Sequence, residues 1–226
     1  MTLELRKHMV EICRRMNTAG INQGTSGNLS VRNGETFLIT PTSLRYELME
    51  PDDIIDMDFD GGYSGNRLPS SEWRFHRDIL KARPEQNAVL HCHSTYATSF
   101  SCQRREIPPY HYMIGLAGGS TIRCSGYAAY GTQELSDYAL TALEGRNACL
   151  LGSHGQIALG RDLERAFRLA VEVEILARNY LQTLAIGEPI LLTDAEMTQV
   201  LEQMKQMGYG QLPEVEKNSS KAFKRA

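Results

Sequence analysis

The chain has 226 residues, of which 42% are hydrophobic and 23% charged, enough for a sizeable core in one large domain. A formal net charge of −3 supplies neither a basic field for nucleic acid nor a polybasic patch for a membrane surface. The opening residues Met1 to Arg6 lack the apolar stretch of a signal peptide, and no segment has the length of a membrane span, so a cytoplasmic protein is expected.

Apolar side chains at Leu5, Met9, Ile12, Cys13 and Met16 recur with a helical period over 3–19, and Gly20 follows as a stop. A polar, Gly-punctuated loop spans 22–28. Residues 29–32 and 36–40 read as a hairpin about Asn33-Gly34, and 54–59 as a further strand closed by Asp60-Gly61-Gly62. Pro69-Ser70-Ser71-Glu72 opens a helix that stops before Pro84. A strand over 87–92 and a helix over 95–103 come next. The Tyr- and Gly-rich stretch 106–130 reads as short strands and loops. Thr132 caps a helix to Leu143, and strands 148–151 and 156–159 flank Ser153-His154-Gly155. Asp162 caps a long helix to about Ile186, and Thr193 to Glu196 form a capping box for a last helix ending near Gly208. Residues 1–212 are expected to form one domain and 213–226 a disordered tail. Without strict βαβ alternation, the expected class is α/β: a single domain with a central, mainly antiparallel β-sheet flanked by helices. The five cysteines form no C-x-x-C pair; Cys13, Cys92 and Cys149 sit in apolar contexts and read as reduced, buried thiols.

The most informative motif is His91-Cys92-His93 with His154 far downstream. On a strand, residues i and i+2 share a side, so His91 and His93 aim at one point with Cys92 turned away. His154 at a Gly-flanked turn supplies a third imidazole. Three imidazoles with room for a fourth ligand make a catalytic metal site, for which zinc is expected; manganese or cobalt would suit the same geometry. Leu68 to Trp73 offers two serine hydroxyls and the free amides of a helix start, a site suited to phosphate, although for this segment by itself plain capping, with Ser70 as N-cap and Glu72 favouring the helix dipole, is the better reading. Gly24 to Asn28 and Pro41-Thr42-Ser43 add two more small polar turns. A divalent ion beside a held phosphate suits retro-aldol cleavage, because it stabilises the enediolate, and Glu72 is placed to shuttle the proton.

These segments, together with Ile39-Thr40-Pro41-Thr42, Arg74-Phe75-His76 and His111-Tyr112-Met113-Ile114, resemble the zinc-dependent class II aldolase/adducin-head family, on its fuculose-1-phosphate aldolase branch. The likeness runs from about residue 5 to about 208. It implies zinc on His91, His93 and His154, and Glu72 as the acid/base that caps the resting metal and swings off when substrate binds. It implies a phosphate pocket of Gly27, Asn28, Thr42, Ser43, Ser70 and Ser71, and Tyr112 reaching a neighbouring subunit's site to protonate the aldehyde oxygen. It also implies a homotetramer with active sites at subunit interfaces, acting on a small phosphorylated sugar: a ketose 1-phosphate, either L-fuculose 1-phosphate or a 5-deoxy- or 5-methylthio-pentulose 1-phosphate. Epimerisation of a pentulose 5-phosphate, or decarboxylation of a phosphorylated oxo-acid, is the alternative on the same metal. Ser43 stands where the branch has glycine and Tyr130 where it has phenylalanine, and Tyr209 matches its tail tyrosine only if shifted along the chain. Tyr110 and Tyr127 read as ordinary sheet aromatics, His8 as solvated and His111 as packing on the side opposite Tyr112. His76, one turn after Glu72, reads as a support or interface residue, not a ligand.

Overall fold

The computed structural model describes residues 2–208. The 213–226 tail, the end of the expected 1–212 domain and Tyr209 lie outside the described residues. The elements follow in the order α1 (Thr2–Thr18), β1 (Asn28–Asn33), β2 (Thr36–Ile39), β3 (Ile55–Asp58), β4 (Tyr63–Ser64), α2 (Trp73–Ala82), β5 (Ala88–Cys92), α3 (Thr95–Cys102), α4 (Gln133–Ala142), β6 (Ala148–Leu151), β7 (Gly155–Gly160), α5 (Leu163–Ile186) and α6 (Asp194–Gln206). The strands form one sheet in the order β4-β3-β2-β1-β5-β7-β6, and every pairing between named strands is antiparallel.

Period-two alternation sorts the side chains onto two faces. Leu29, Val31, Leu38, Leu90, Cys92 and Ala158 pack against Met9, Ile12 and Met16 of α1 and Leu163, Ala166 and Ala170 of α5. Phe37, Ile39, Val89 and Ile157 face the other way, onto Phe75, Ile79 and Leu80 of α2 and Leu135 and Ala139 of α4. A third cluster lies under β6, where Ala148 and Leu150 meet α3, α5 and Met197 of α6. The caps are those expected: Thr132, Asp162 and Thr193 each accept a backbone N–H at the start of their helix. Cys13, Cys92 and Cys149 are buried and free, and burial pushes the Cys92 thiol up to about 12, leaving an inert, neutral group.

Four local expectations are corrected. Residues 69–72 do not open α2, which starts at Trp73 with Glu72 at its N-cap. The Ser70 amide donates to the Thr40 carbonyl at 3.0 Å and Pro69 bridges Pro41, so Pro69 and Ser70 run along the end of β2 and a turn over Ser71 and Glu72 follows. The stretch 106–130 contains a six-residue 3₁₀ helix, Tyr112–Ala117. Its buried positions, Ile114, Gly115 and Ala117, do not alternate by two, because that side packs on the interior beneath α6. His111 is exposed and caps this helix, its Nδ1 accepting from the Met113 amide at 3.3 Å, and its ring lies 4.8 Å from that of Tyr112 instead of pointing away. His8 is half-buried with its Nε2 at 3.3 Å from Glu164 of α5, not free in solvent.

Glu174 of α5 stitches the segment after β5 to the body. Its carboxylate accepts the Tyr96 amide at 2.9 and 3.1 Å and the Ala97 amide at 2.9 Å, closing the N-terminus of α3. Replacing Glu174 by Ala is expected to cost about 1–3 kcal/mol, and Glu174→Gln less, because an amide oxygen still accepts. Denaturant unfolding of the two variants checks the order; equal losses would mean that packing, not capping, is what Glu174 contributes.

Candidate active site and metal centre

Register builds the site. Strand β5 lies between β1 and β7, with Asn28 opposite His91 on one side and Ile157 opposite it on the other. Cys92 enters the α1/α5 face, so the side chains of His91 and His93 take the face of α2. The β6–β7 turn then brings in His154. The three rings are mutually edge-on with centroids 4.8–4.9 Å apart, and one ligand atom from each lies within 4.8 Å of the others. Gly155 permits this convergence: a Cβ there would stand 2.6 Å from the Cys92 carbonyl oxygen and 2.8 Å from the His93 ring. Ser153 precedes it in the left-handed region at φ 55°, a strained position that turns His154 inward.

His91 is fully buried, and its Nδ1 donates to the Gln156 carbonyl at 2.9 Å. The lone pair therefore sits on Nε2, which faces His93 Nε2 at 3.0 Å. Burial, opposed by Glu72 and reinforced by the other imidazoles, holds His91 well below the usual imidazole range; burial and His154 likewise depress His93. Neutral imidazoles with facing lone pairs are what a metal needs. Glu72 completes the set. Its Oε2 lies 3.3 Å from His91 Nε2 and 2.9 Å from the Asn28 amide nitrogen, and its Oε1 lies 3.2 Å from His154 Nε2. Burial alone would raise this carboxyl, but the two imidazoles and the Asn28 amide outweigh it and hold it well below the usual carboxylate range. Glu72 Oε1 is nevertheless buried without a hydrogen-bond partner. An orphaned carboxylate oxygen beside three convergent ring nitrogens, one of them with its tautomer set by a backbone carbonyl, fits a divalent metal.

A cleft of about 370 Å³ opens beside the histidines. Gly27, Asn28, Thr42, Ser43, Ser70, Ser71, Glu72, His93 and His154 all line it. The Pro41–Pro69 bridge brings Thr42 and Ser43 beside Ser70 and Ser71, and the Ser70 hydroxyl accepts the Glu72 amide at 3.3 Å. Ser43 adopts φ 57°, a conformation natural to glycine, so the serine keeps the same turn at some strain. Tyr127, Ala128 and Tyr130 also line the cleft. Tyr127 is thus a cleft residue and not an ordinary sheet aromatic. Tyr110 does pack, donating its hydroxyl to the Leu176 carbonyl at 2.8 Å. Tyr112, 46% exposed, does not line the cleft of its own chain. One neighbour escaped sequence reasoning: Tyr46, fully buried, donates to the Gly27 carbonyl at 2.5 Å and pins that loop. His76, read as a support residue, contacts Asn28. The Gly27–Asn28 motif signalled a loop, but not what would hold it. A larger groove of about 450 Å³, lined by Arg161, Arg165, Arg168 and Lys205, holds no histidine or cysteine.

Comparison with known proteins agrees with this arrangement. Residues 7–181 match the family model described as Class II Aldolase and Adducin N-terminal domain. The chain is 50% identical over 212 residues to a 5-methylthioribulose-1-phosphate/5-deoxyribulose-1-phosphate aldolase of Rhodospirillum rubrum, covering 93% of this chain and 96% of the relative. It is 46% identical over 206 residues to the L-fuculose phosphate aldolase of Escherichia coli K12, covering 91% and 96%. A solved structure of an L-fuculose 1-phosphate aldolase superposes with a TM-score of 0.87 at 38% identity, covering 89% of this chain and 96% of that one. The histidine cluster, the carboxylate and the polar cleft thus belong to an aldolase, and this chain is a member of the class II aldolase and adducin family.

Proposed function

We propose that the protein is a metal-dependent aldolase that reversibly cleaves a ketose 1-phosphate to dihydroxyacetone phosphate and a small aldehyde. The observation that carries the reading is the polar cleft, with its hydroxyls and amides, opening directly onto Glu72 and the three histidines. His91, His93 and His154 would hold the metal; zinc suits three imidazoles, and manganese or cobalt suits them next. When bound, a divalent ion supplies Lewis acidity to the ketose carbonyl and charge to offset the enediolate left by carbon–carbon cleavage. The chain's own residues do the rest. Gly27, Asn28, Thr42, Ser43, Ser70 and Ser71 hold the phosphate by hydroxyls and amides and so fix the register of the sugar. As the C3–C4 bond breaks, the C4 hydroxyl loses its proton and becomes the aldehyde. Glu72, ionised at rest, takes up a proton and returns one to C3 to complete dihydroxyacetone phosphate.

Tyr127 and Tyr130, which also line the cleft, suit a short aldehyde with an apolar tail, as L-fuculose 1-phosphate or a 5-deoxy- or 5-methylthio-pentulose 1-phosphate would yield. Tyr112 lies outside its own cleft; in a homotetramer with sites at subunit interfaces it reaches the aldehyde oxygen of a neighbouring copy. No helix among the described residues is long and apolar enough to cross a membrane, in keeping with a cytoplasmic enzyme using metabolites.

The deciding experiment is a screen of ketose 1-phosphates against metal-loaded protein, scoring triose phosphate release; no release from any of these sugars would reject the reading, and a pentulose 5-phosphate epimerised without fragments would replace it. His93→Ala is expected to lose bound metal and activity together, and elemental analysis showing unchanged stoichiometry would remove His93 from the site. Glu72→Gln is expected to retain metal and KM while kcat falls about 10²–10⁴-fold. Undiminished turnover would take Glu72 out of the proton path.

A further inference from the structure

Behind Glu72 runs a closed line of hydrogen bonds that no catalytic role explains. Asn28 and Ser30 share a face of β1 as i and i+2, and His76 lies one turn along α2 from Glu72. Glu72 Oε2 accepts from Asn28 Nδ2 at 2.9 Å, Asn28 Oδ1 meets His76 Nε2 at 2.5 Å, and His76 Nδ1 meets the Ser30 hydroxyl at 2.7 Å. Ser30 and His76 are fully buried, while Asn28 is 4% and Glu72 5% exposed, so water cannot substitute for a missing partner.

The donor order has one solution. A carboxylate only accepts, so Asn28 must turn its amide nitrogen to Glu72 and its oxygen to His76. That oxygen needs a donor, so His76 carries its proton on Nε2. A neutral imidazole has a single N–H, so Nδ1 accepts from the Ser30 hydroxyl. Burial does keep His76 neutral, drawing it down to about 3 against a lesser opposing pull from Glu72. The stack of His76 on Phe75, with centroids 4.6 Å apart, fixes the ring plane. With the other tautomer, Asn28 would flip and set its oxygen against the carboxylate.

We propose that His76 is a positioning residue of the aldol reaction: its Nε2–H locks the Asn28 amide in the orientation that holds Glu72 between His91 and His154, with the Ser30 hydroxyl donating to the bare Nδ1. This inference rests on the aldolase reading above.

The test joins kinetics to a tautomer measurement. In His76→Leu, kcat is expected to fall about 10–100-fold with KM and bound metal within about two-fold, while His76→Gln, which restores an N–H donor, recovers part of the loss. In the Glu72→Gln background His76→Leu is expected to slow the enzyme no further, since it acts through that carboxylate; a fully additive loss would mean a merely structural role and overturn the proposal. Nitrogen-15 NMR of the unmutated protein, with His76 assigned by difference from His76→Gln, is expected to show Nε2 protonated and Nδ1 bare. A protonated Nδ1 overturns the proposal even if His76→Leu does not fold. Absence of cleavage by the unmutated enzyme with the expected tautomer present would sink the aldolase reading instead.

Discussion

The structure turns on one buried carboxylate. Glu72 sits with an unsatisfied oxygen at the N-cap of α2, facing two imidazoles across about 3 Å. A buried carboxylate is costly unless charge or hydrogen bonds compensate it. The antiparallel sheet provides that compensation by lining up β1, β5 and β7 so that Asn28, His91 and Ile157 stand abreast. A one-residue slip in either pairing would send His91 and His93 to the α1/α5 face and leave Glu72 without partners. The register therefore serves core and chemistry together, since Val89 and Ile157 fill the same face that carries the histidines.

Close approach of backbones sets the rest of the geometry. Gly155 lets the start of β7 press on the Cys92 carbonyl and the His93 ring. The Pro41–Pro69 bridge draws two short polar turns to a single rim, and Tyr46 ties Gly27 to it from beneath. Of the three non-glycine residues with positive φ among the described residues, Ser43 and Ser153 lie on this rim and Arg104 follows α3; none is in the sheet. Strain of this kind persists only where the surroundings over-determine the conformation, and here rigid strands on both sides do so. The cleft is accordingly shaped before any ligand arrives, which suits holding a phosphoester at fixed distance from a metal.

Electrostatic roles divide by depth. At the surface, ion pairs such as Lys7–Glu4 are exposed and contribute little. In the interior, burial outweighs the partners of His91, His93 and His76 and keeps them neutral, while Glu72 stays ionised because two imidazoles and the Asn28 amide outweigh its burial. This is the distribution that a divalent cation completes: neutral nitrogen ligands, one anionic oxygen, and a second layer, Gln156 and Asn28, fixing which atoms point inward.

Much of this was legible in the chain itself. The His-x-His period on an apolar strand determined that two imidazoles share a side, and the capping residues Thr132, Asp162 and Thr193 determined where three helices begin, because both signals are local and short-range. The stretch 106–130 misled, since a 3₁₀ turn does not bury every second residue and its anchoring comes from α6, far along the sequence. The start of α2 misled for a similar reason: the Thr40 carbonyl takes the Ser70 amide, and a turn over Ser71 and Glu72 precedes the helix. The donor order from Ser30 through His76 and Asn28 to Glu72 was beyond any reading of spacing, because a tautomer depends on which atoms face each other across two elements. Residue types pointed to the proposed metal and phosphate chemistry; only the packing of α2 onto β1 and β5 decided how the Glu72 carboxylate is aimed.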